Sequence, residues 1–220
     1  MRAKRILALI LAAVLALGLA ACGSAQANKD KDGLIKVGIV NNPPSESGYR
    51  AANVADFENV FSEANGYKVS TFYSLKNDEQ LNAAQQFITD GVDYLLISAA
   101  ATDGWTNVLE SAKKAGIKVF LFDRMMNVDE GLFEAAVISN MEAQGKMAVQ
   151  WLLDQKLPEY NVVHIQGAMG SDAQIGRTKP LDEQFANGTM KCVVQQTATW
   201  DEATAKQIVE SVINSGEKFN

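Results

Sequence analysis

Three glycines recur at an interval of 25 residues and divide the middle of the chain into similar units. Gly66, Gly91 and Gly116 each follow a segment with apolar residues at helical spacing, and each precedes a short apolar run. A glycine just past a helix readily adopts the left-handed conformation that ends the helix and turns the chain into a strand. Strands that alternate with helices of this length predict βαβ units and a parallel sheet flanked by helices.

The same alternation continues to the end of the chain. Strands are predicted over residues 135–139, 161–166 and 191–196, and helices over residues 141–153, 172–186 and 201–215. Pro180 lies inside the second of these helices, where proline is expected to kink it. The sequence therefore predicts an α/β fold with two lobes, of which residues 33–139 form the N-terminal lobe. Residues 140–220 form only part of the C-terminal lobe, because the chain stops where another strand is expected, and this predicts a C-terminal truncation.

The N-terminus has the three parts of a secretory signal. Basic residues at Arg2, Lys4 and Arg5 precede an apolar stretch over residues 6–21, which is shorter than the ~20 residues of a membrane span. The segment ends in Leu-Ala-Ala-Cys22, which resembles the lipobox of bacterial lipoproteins; the alternative is an ordinary cleaved signal with an incidental cysteine. The sequence thus predicts a signal peptide over residues 1–21, lipid attachment at Cys22 and a flexible tether over residues 22–32. The protein is expected to be exported and lipid-anchored to the outer face of the cytoplasmic membrane, or to be periplasmic.

Charge and residue inventory argue against several classes of function. Without its signal peptide the chain keeps 17 of its 20 basic residues against 26 acidic ones, a net charge of −9. Such a surface repels phosphate backbones and anionic headgroups, so no nucleic-acid partner is expected, and membrane contact is expected through the lipid anchor only. His164 is the only histidine, and Cys192 is the only cysteine besides Cys22. A zinc site and a histidine-based triad are therefore excluded, and no metal or cofactor is expected.

Polar side chains follow the predicted strands at their carboxyl ends, where open parallel sheets bind ligands. Asp123 and Arg124 are the strongest candidates, because the apolar run over residues 119–122 delivers both charges to the edge of the sheet. A carboxylate accepts hydrogen bonds from sugar hydroxyls, and a guanidinium donates two of them to adjacent oxygens. This pair is therefore either a candidate site for a sugar or part of an ordinary polar loop that follows a buried strand.

Two tryptophans and one glycine-containing turn are weaker candidates. Trp105 and Trp200 are each either core residues or aromatic surfaces for a ligand, and Trp200 follows a predicted strand, where its face could stack on a sugar ring. Gly167-Ala-Met-Gly170 also follows a predicted strand. It lacks both the GxGxxG pattern and the Gly-Lys-Ser/Thr of a P-loop, so it is only a weak indication of a phosphate loop.

Several separated motifs resemble those of the type I periplasmic sugar-binding proteins of ABC transporters, the ribose- and galactose-like group. The motifs follow one another in the same order as in that family. Besides the lipoprotein signal they are KVGIV, DGVDYLLIS, AGIKVFLFDR, ISNMEAQGKMA and NVVHIQGAMGSDAQIGRTK. Within that group, the segments SESGYR at residues 45–50 and TDGW at residues 102–105 are most similar to galactofuranose-binding proteins. The resemblance extends from about residue 34 to residue 220.

The resemblance implies a sugar held in a cleft between two lobes. Nine residues of this chain match positions expected at the sugar, and they are Ser45, Glu46, Arg50, Trp105, Asp123, Arg124, Asn140, Arg177 and Trp200. Among them, Asp123 and Arg124 match the Asp-Arg pair of the family, and Trp200 matches an aromatic residue that stacks on the ring. The later ligand residues of the family would lie beyond residue 220, and the loop with Pro43-Pro44 is one residue longer than the family pattern.

Together these features predict a monomeric solute-binding lipoprotein without enzymatic activity, which delivers a galactose-, galactofuranose- or ribose-like monosaccharide to the permease of an ABC transporter. The alternative output is a membrane sensor kinase. An exported glycosidase would need two carboxylates that flank one bond, and Arg124 beside Asp123 favours the ionised carboxylate, which is a poor general acid. A sugar-responsive repressor would need a DNA-binding helix-turn-helix where the signal peptide lies.

Overall fold

Five parallel strands and three helices make up the first part of the computed structural model, which describes residues 32–220. The elements in chain order are β1 (Ile35–Asn41), α1 (Gly48–Val60), β2 (Tyr67–Tyr73), α2 (Asn77–Thr89), β3 (Tyr94–Ile97), α3 (Thr106–Lys114), β4 (Lys118–Asp123) and β5 (Ala135–Ile138). The strands pair in the order β2-β1-β3-β4-β5. The predicted signal peptide, Cys22 and the tether up to residue 31 lie outside the described residues.

A second, smaller parallel sheet follows the first. Its elements are α4 (Met141–Asp154), β6 (Asn161–Gln166), α5 (Asp172–Ala186), β7 (Lys191–Thr197) and α6 (Glu202–Ser215), and β6 pairs with β7. Helix α5 runs continuously through Pro180. No helix within residues 32–220 is long and apolar enough to cross a bilayer. The predicted α/β architecture is confirmed, whereas the division into lobes at residue 139 stays a prediction, although it falls between the two sheets.

The glycines that recur every 25 residues all have the left-handed backbone that the sequence predicts. Their φ angles are 89° at Gly66, 67° at Gly91 and 76° at Gly116. Gly91 and Gly116 follow α2 and α3, as expected, but Gly66 ends a short 3-10 helix over Glu63–Asn65, because α1 already stops at Val60. The glycine interval therefore marks where strands begin more faithfully than where helices end.

The main hydrophobic core lies between the first sheet and helices α2 and α3. Fully buried side chains of this core include Leu95, Ile97, Trp105, Leu109, Val119 and Leu121. Each such side chain contributes roughly 1.5–3 kcal/mol when it leaves water. Trp105 is 0 % exposed, and its Nε1 donates to the carbonyl oxygen of Ala101 at 3.0 Å. The ring of Trp105 is thus enclosed by the core and its polar atom is already satisfied. The structure does not place Trp105 beside a ligand, and its contact with one stays a prediction.

Helices α4 and α5 cross closely because two glycines face the partner helix. A Cβ on Gly145 would lie 2.6 Å from the carbonyl oxygen of Arg177, and a Cβ on Gly176 would lie 2.5 Å from the Cβ of Met141. Glu142 adds ion pairs to Lys146 in its own helix and to Lys179 in α5, at 2.6 Å and 2.9 Å. Hydrogen bonds from these two lysines lower the pKa of Glu142 to about 2. The two helices therefore form one packed unit.

We expect Gly145→Ala to destabilise the protein by about 1–3 kcal/mol, because the added methyl group meets backbone atoms that cannot rotate away. Urea denaturation of the complete protein measures this loss. Gly48→Ala in α1 is the matched control, because a Cβ there has no atom within 4 Å, and we expect it to be neutral or stabilising by up to ~1 kcal/mol. Equal losses in the two variants would contradict the close crossing.

Candidate functional site

The carboxyl ends of β1, β3 and β4 meet at one buried side chain, Arg50 of α1, which is 1 % exposed. The Nη1 of Arg50 donates to Asn41 Oδ1 at 2.8 Å and lies 3.4 Å from Ser98 Oγ. Its Nη2 donates to Asp123 Oδ2 at 2.5 Å. Parallel strands bring their carboxyl ends to one edge of the sheet, and three polar strand ends, Asn41, Ser98 and Asp123, meet there.

Glu46, Arg50, Asp123 and Arg124 form a charge quartet at this edge. Glu46 bridges the two guanidiniums, since its Oε2 lies 3.0 Å from Arg50 Nε and its Oε1 lies 2.9 Å from Arg124 Nη2. Asp123 pairs with Arg50 and also lies 3.5 Å from Arg124 Nε. The four side chains are only 1–11 % exposed. Two positive and two negative charges compensate each other, which is what the burial of ionised groups requires.

Arg124 and Trp200 each retain a buried donor that no atom of residues 32–220 accepts. These donors are Arg124 Nη1 and Trp200 Nε1. The guanidinium of Arg124 lies 5.3 Å from the centre of the Trp200 ring, and that of Arg177 lies 6.0 Å from it. An unsatisfied buried donor costs about 1–3 kcal/mol. A ligand with acceptor oxygens would relieve this cost, so the two donors mark the surroundings of Trp200 as a place for a polar ligand.

The charge quartet and Trp200 line a cavity of about 300 Å³ between the two sheets. Its lining consists of Glu46, Ser47, Tyr49, Arg50, Asp123, Arg124, Met141, Ala173, Arg177 and Trp200. The volume lies at the lower end of the range of about 300–1,000 Å³ for small-molecule pockets. Charged groups on one wall and an indole on another can hydrogen-bond the hydroxyls of a small polyol while its apolar face stacks on the ring.

The backbone is left-handed at two residues that line the cavity. Asp123 has φ 64°, and Trp200 has φ 68° after Thr199 with φ 51°. Such conformations cost about 1–3 kcal/mol in residues other than glycine and persist where the surrounding structure fixes them. At Trp200 the surroundings include Gly167, where a Cβ would overlap the carbons of the indole ring. A glycine is therefore required at position 167 to leave room for the indole of Trp200. This steric requirement explains Gly167 without a phosphate-binding role.

Tyr49 is a cavity residue that the sequence interpretation missed. Its ring lies 5.3 Å from the guanidinium of Arg50. Burial, and then the negative charge of Asp123, raise the pKa of the Tyr49 phenol. The phenol therefore stays neutral at neutral pH and can both donate and accept a hydrogen bond. Its position beside Arg50 in the segment SESGYR was the available signal.

Six of the nine predicted site residues line the cavity: Glu46, Arg50, Asp123, Arg124, Arg177 and Trp200. Arg177 also donates through Nε to Gln144 Oε1 at 2.8 Å, which directs its guanidinium along α4. Trp105 lies in the core, as described above.

Ser45 and Asn140 lie outside the cavity lining. Ser45 is exposed in the short 3-10 helix Pro44–Glu46, and its neighbour Ser47 lines the cavity instead. Ser47 Oγ caps α1 by accepting from the backbone N–H of Arg50 at 3.2 Å. Asn140 is exposed and caps α4, because its Oδ1 accepts from the backbone N–H of Ala143 at 2.8 Å. Its side chain is thus engaged by its own helix rather than turned to the quartet.

A larger apolar groove of about 670 Å³ runs along one face of the first sheet beside the cavity. Aromatic residues dominate its lining and include Phe57, Phe61, Tyr94, Phe120 and Phe122. Tyr49 and Asp123 line both the groove and the cavity. Among the described residues, Asp123 is the only charged residue of the groove lining, whereas the smaller cavity has five charged side chains in its wall.

Known proteins share both the sequence pattern and this architecture. The chain is 33 % identical to the galactofuranose-binding protein YtfQ of Escherichia coli over 177 residues. This alignment covers 78 % of this chain and 55 % of YtfQ. The crystal structure of a galactofuranose binding protein superposes with a TM-score of 0.75 at 31 % identity, over 82 % of this chain and 62 % of that one. The periplasmic binding protein of the arabinose ABC transporter from Shewanella sp. ANA-3, bound to L-arabinofuranose, superposes with a TM-score of 0.73 at 29 % identity. The match covers 82 % of this chain and 60 % of that one.

The chain thus spans 55–62 % of the length of these relatives. The family of periplasmic binding protein domains matches residues 37–219, which include every residue that lines the cavity and both sheets except the first two residues of β1. This chain therefore belongs to the periplasmic binding protein domain family.

Proposed function

We propose that this chain is the ligand-binding part of an extracytoplasmic solute-binding lipoprotein that captures a monosaccharide for an ABC transporter. One observation carries the proposal: a cavity of about 300 Å³ joins the charge quartet to the indole of Trp200. Charged hydrogen-bonding groups opposite an aromatic ring are what a small polyhydroxylated ring requires. The unpartnered Nη1 of Arg124 supplies a donor for a sugar oxygen.

Furanose sugars are the first candidates for the ligand. Two of the similar proteins are named for galactofuranose, and a third is described as bound to arabinofuranose. Galactose and ribose remain within the proposed class, because the cavity offers hydrogen bonds to hydroxyls without a feature that selects one ring form.

Capture is proposed to work by closure of two lobes, residues 33–139 and residues 140–220, around the sugar. Contacts already join the loops of the two sheets, since the N–H of Thr102 donates to the carbonyl oxygen of Gly170 and the N–H of Met125 donates to Asp172 Oδ2, both at 3.0 Å. A ligand that contacts Asp123 on one side and Trp200 on the other favours the closed state. The closed monomer, anchored through lipidated Cys22, would then dock on the permease.

The proposed protein binds its sugar without chemical change. A glycosidase needs two carboxylates that flank one glycosidic bond. In the cavity, Glu46 and Asp123 each accept hydrogen bonds from a guanidinium, so we assign both carboxylates to binding and not to catalysis. The transport role follows the similar protein that is described as a component of an ABC transporter.

A panel of sugars tests the proposal in the complete protein. We expect methyl β-D-galactofuranoside, L-arabinose, D-galactose or D-ribose to bind with a dissociation constant of about 1 μM or lower in calorimetric titration. Binding should change the tryptophan fluorescence, and Trp200→Phe should remove most of that change. Trp151→Phe is the control, because Trp151 is exposed on α4 and outside the cavity lining. Failure of all four sugars to bind, or turnover of a nitrophenyl glycoside, would overturn the proposal.

A further inference from the structure

A fully buried glutamine of α2 lies behind the charge quartet without lining the cavity. Gln80 is 0 % exposed. Its Nε2 donates to the carbonyl oxygen of Ser74 at 2.8 Å and to Asn42 Oδ1 at 3.0 Å, and its Oε1 accepts from the N–H of Ala100 at 2.7 Å. Ser74, Asn42 and Ala100 follow β2, β1 and β3 respectively. One side chain therefore ties together the segments that leave three neighbouring strands.

Gln80 fixes the orientation of the side-chain amide of Asn42. A primary amide has one accepting end and one donating end, and Gln80 holds the accepting Oδ1 of Asn42. The donating Nδ2 of Asn42 consequently faces Glu46 Oε1, at 2.8 Å. A reversed Asn42 amide would set two donors against each other at Gln80 and two acceptors against each other at Glu46.

The same oxygen of Glu46 holds the guanidinium of Arg124. Glu46 Oε1 accepts from Asn42 Nδ2 and from Arg124 Nη2, at 2.8 Å and 2.9 Å. Three hydrogen bonds thus lead from Gln80 through Asn42 and Glu46 to Arg124. The group at the end of this chain is the one that carries the unpartnered Nη1.

We propose that Gln80 is a positioning residue of the sugar site: through Asn42 and Glu46 it fixes the orientation in which Arg124 presents its free donor. The inference rests on the proposed function, because it assigns Gln80 a role in the same cavity. Gln80 shares the buried face of α2 with Ala84 and Phe87, so an apolar residue would suit that face for packing alone. An apolar residue would leave Asn42 Oδ1 and the N–H of Ala100 without this partner, and unsatisfied buried groups are costly.

Gln80→Met tests the proposal in the complete protein, with the sugar of the panel that the wild type binds best. We expect about a tenfold loss of affinity, the equivalent of one hydrogen bond at the ligand. Gln86→Met is the matched control, because Gln86 is an exposed glutamine of the same helix whose side chain donates to Asp90 Oδ1, and this variant should bind sugar normally. Should Gln80→Met fail to fold, Gln80→Glu keeps the volume and the acceptor for Ala100 and should still weaken binding.

A double-mutant cycle separates positioning from general structural support. If Gln80 acts through Asn42, Asn42→Ala and Gln80→Met together should weaken binding no more than the stronger single change. Additive losses, or an unchanged affinity of Gln80→Met, would overturn the proposal.

A crystal structure of the Gln80→Met protein supplies a readout that needs no sugar. The distance from Asn42 Nδ2 to Glu46 Oε1 should open beyond 3.5 Å from the 2.8 Å of the native protein. If the wild type binds none of the four sugars, the proposed function fails. The crystal structure of the Gln80→Met protein then tests by itself whether Gln80 positions Asn42, Glu46 and Arg124. An unchanged contact between Asn42, Glu46 and Arg124 would then show that Gln80 does not position them.

Discussion

Replacement of Asp123 by leucine is expected to abolish sugar binding and to destabilise the protein by about 3–5 kcal/mol. The change leaves two guanidiniums and one carboxylate in the charge quartet, and Arg50 is too deeply buried for water to take the place of its lost partner. In the proposed site the sugar also loses a charged acceptor. A hydrogen bond to a charged group contributes about 1.5–3 kcal/mol, so each one lost weakens the affinity about 10- to 150-fold. Urea denaturation and calorimetric titration measure the two effects separately.

Two control variants identify uncompensated charge as the cause. Arg50→Met combined with Asp123→Leu leaves Glu46 and Arg124 as a neutral pair, so stability should largely return while binding stays lost. A double variant as unstable as Asp123→Leu alone would contradict this explanation. Glu134→Ala removes the partner of Lys118 in a pair whose side chains are about half exposed, and we expect it to cost less than about 1 kcal/mol.

The second large effect is expected from Gly167→Ala. The added Cβ would overlap the indole of Trp200, and a rigid bicyclic ring cannot bend away from it. Trp200 must therefore leave its place in the cavity wall. We expect the affinity for sugar to fall about tenfold or more as the stacking surface is lost, and the emission spectrum of the free protein to shift. Titration and fluorescence measure the two outcomes.

Removal of the indole provides the control for Gly167→Ala. In a Trp200→Ala background, Gly167→Ala meets no ring, so it should weaken binding no further. A loss of the same size in both backgrounds would show that Gly167 acts through the conformation of its own backbone and not through Trp200.

The strands and their order along the chain could be read from the sequence because short apolar runs alternate with segments of helical spacing. The run Lys118–Asp123 is the clearest case, since its end also delivers Asp123 to the edge of the sheet. Parallel pairing then brings the ends of β1, β3 and β4 together, so a meeting of Asn41, Ser98 and Asp123 follows from topology alone. Glu46 and Arg50 were found through the family resemblance, and the structure adds that Glu46 holds two guanidiniums in place.

Contacts between distant segments could not be read from the sequence. Gln80 bonds partners 38 and 20 residues away, and only its place in line with Ala84 on a buried helix face distinguishes it from a surface glutamine. Ser47 lines the cavity where Ser45 is expected from the sequence. The difference arises in the 3-10 helix Pro44–Glu46, whose geometry the sequence pattern does not describe. Trp105 was assigned to the ligand by local likeness, although a large apolar ring is equally suited to a core.

The two carboxylate partners of Arg50 lie at very different distances along the chain. Glu46 precedes Arg50 by four residues, and Asp123 follows it by 73. Ribosomes add about 5–20 residues per second, so roughly 4–15 s separate the synthesis of Arg50 from that of Asp123. During this interval Glu46 is the one of these two carboxylates that has been made, so α1 can form with a local partner for Arg50. Synthesis of β4 then supplies Asp123 and Arg124, so the ion pairs at this edge of the sheet can be completed only after residue 124 has been made.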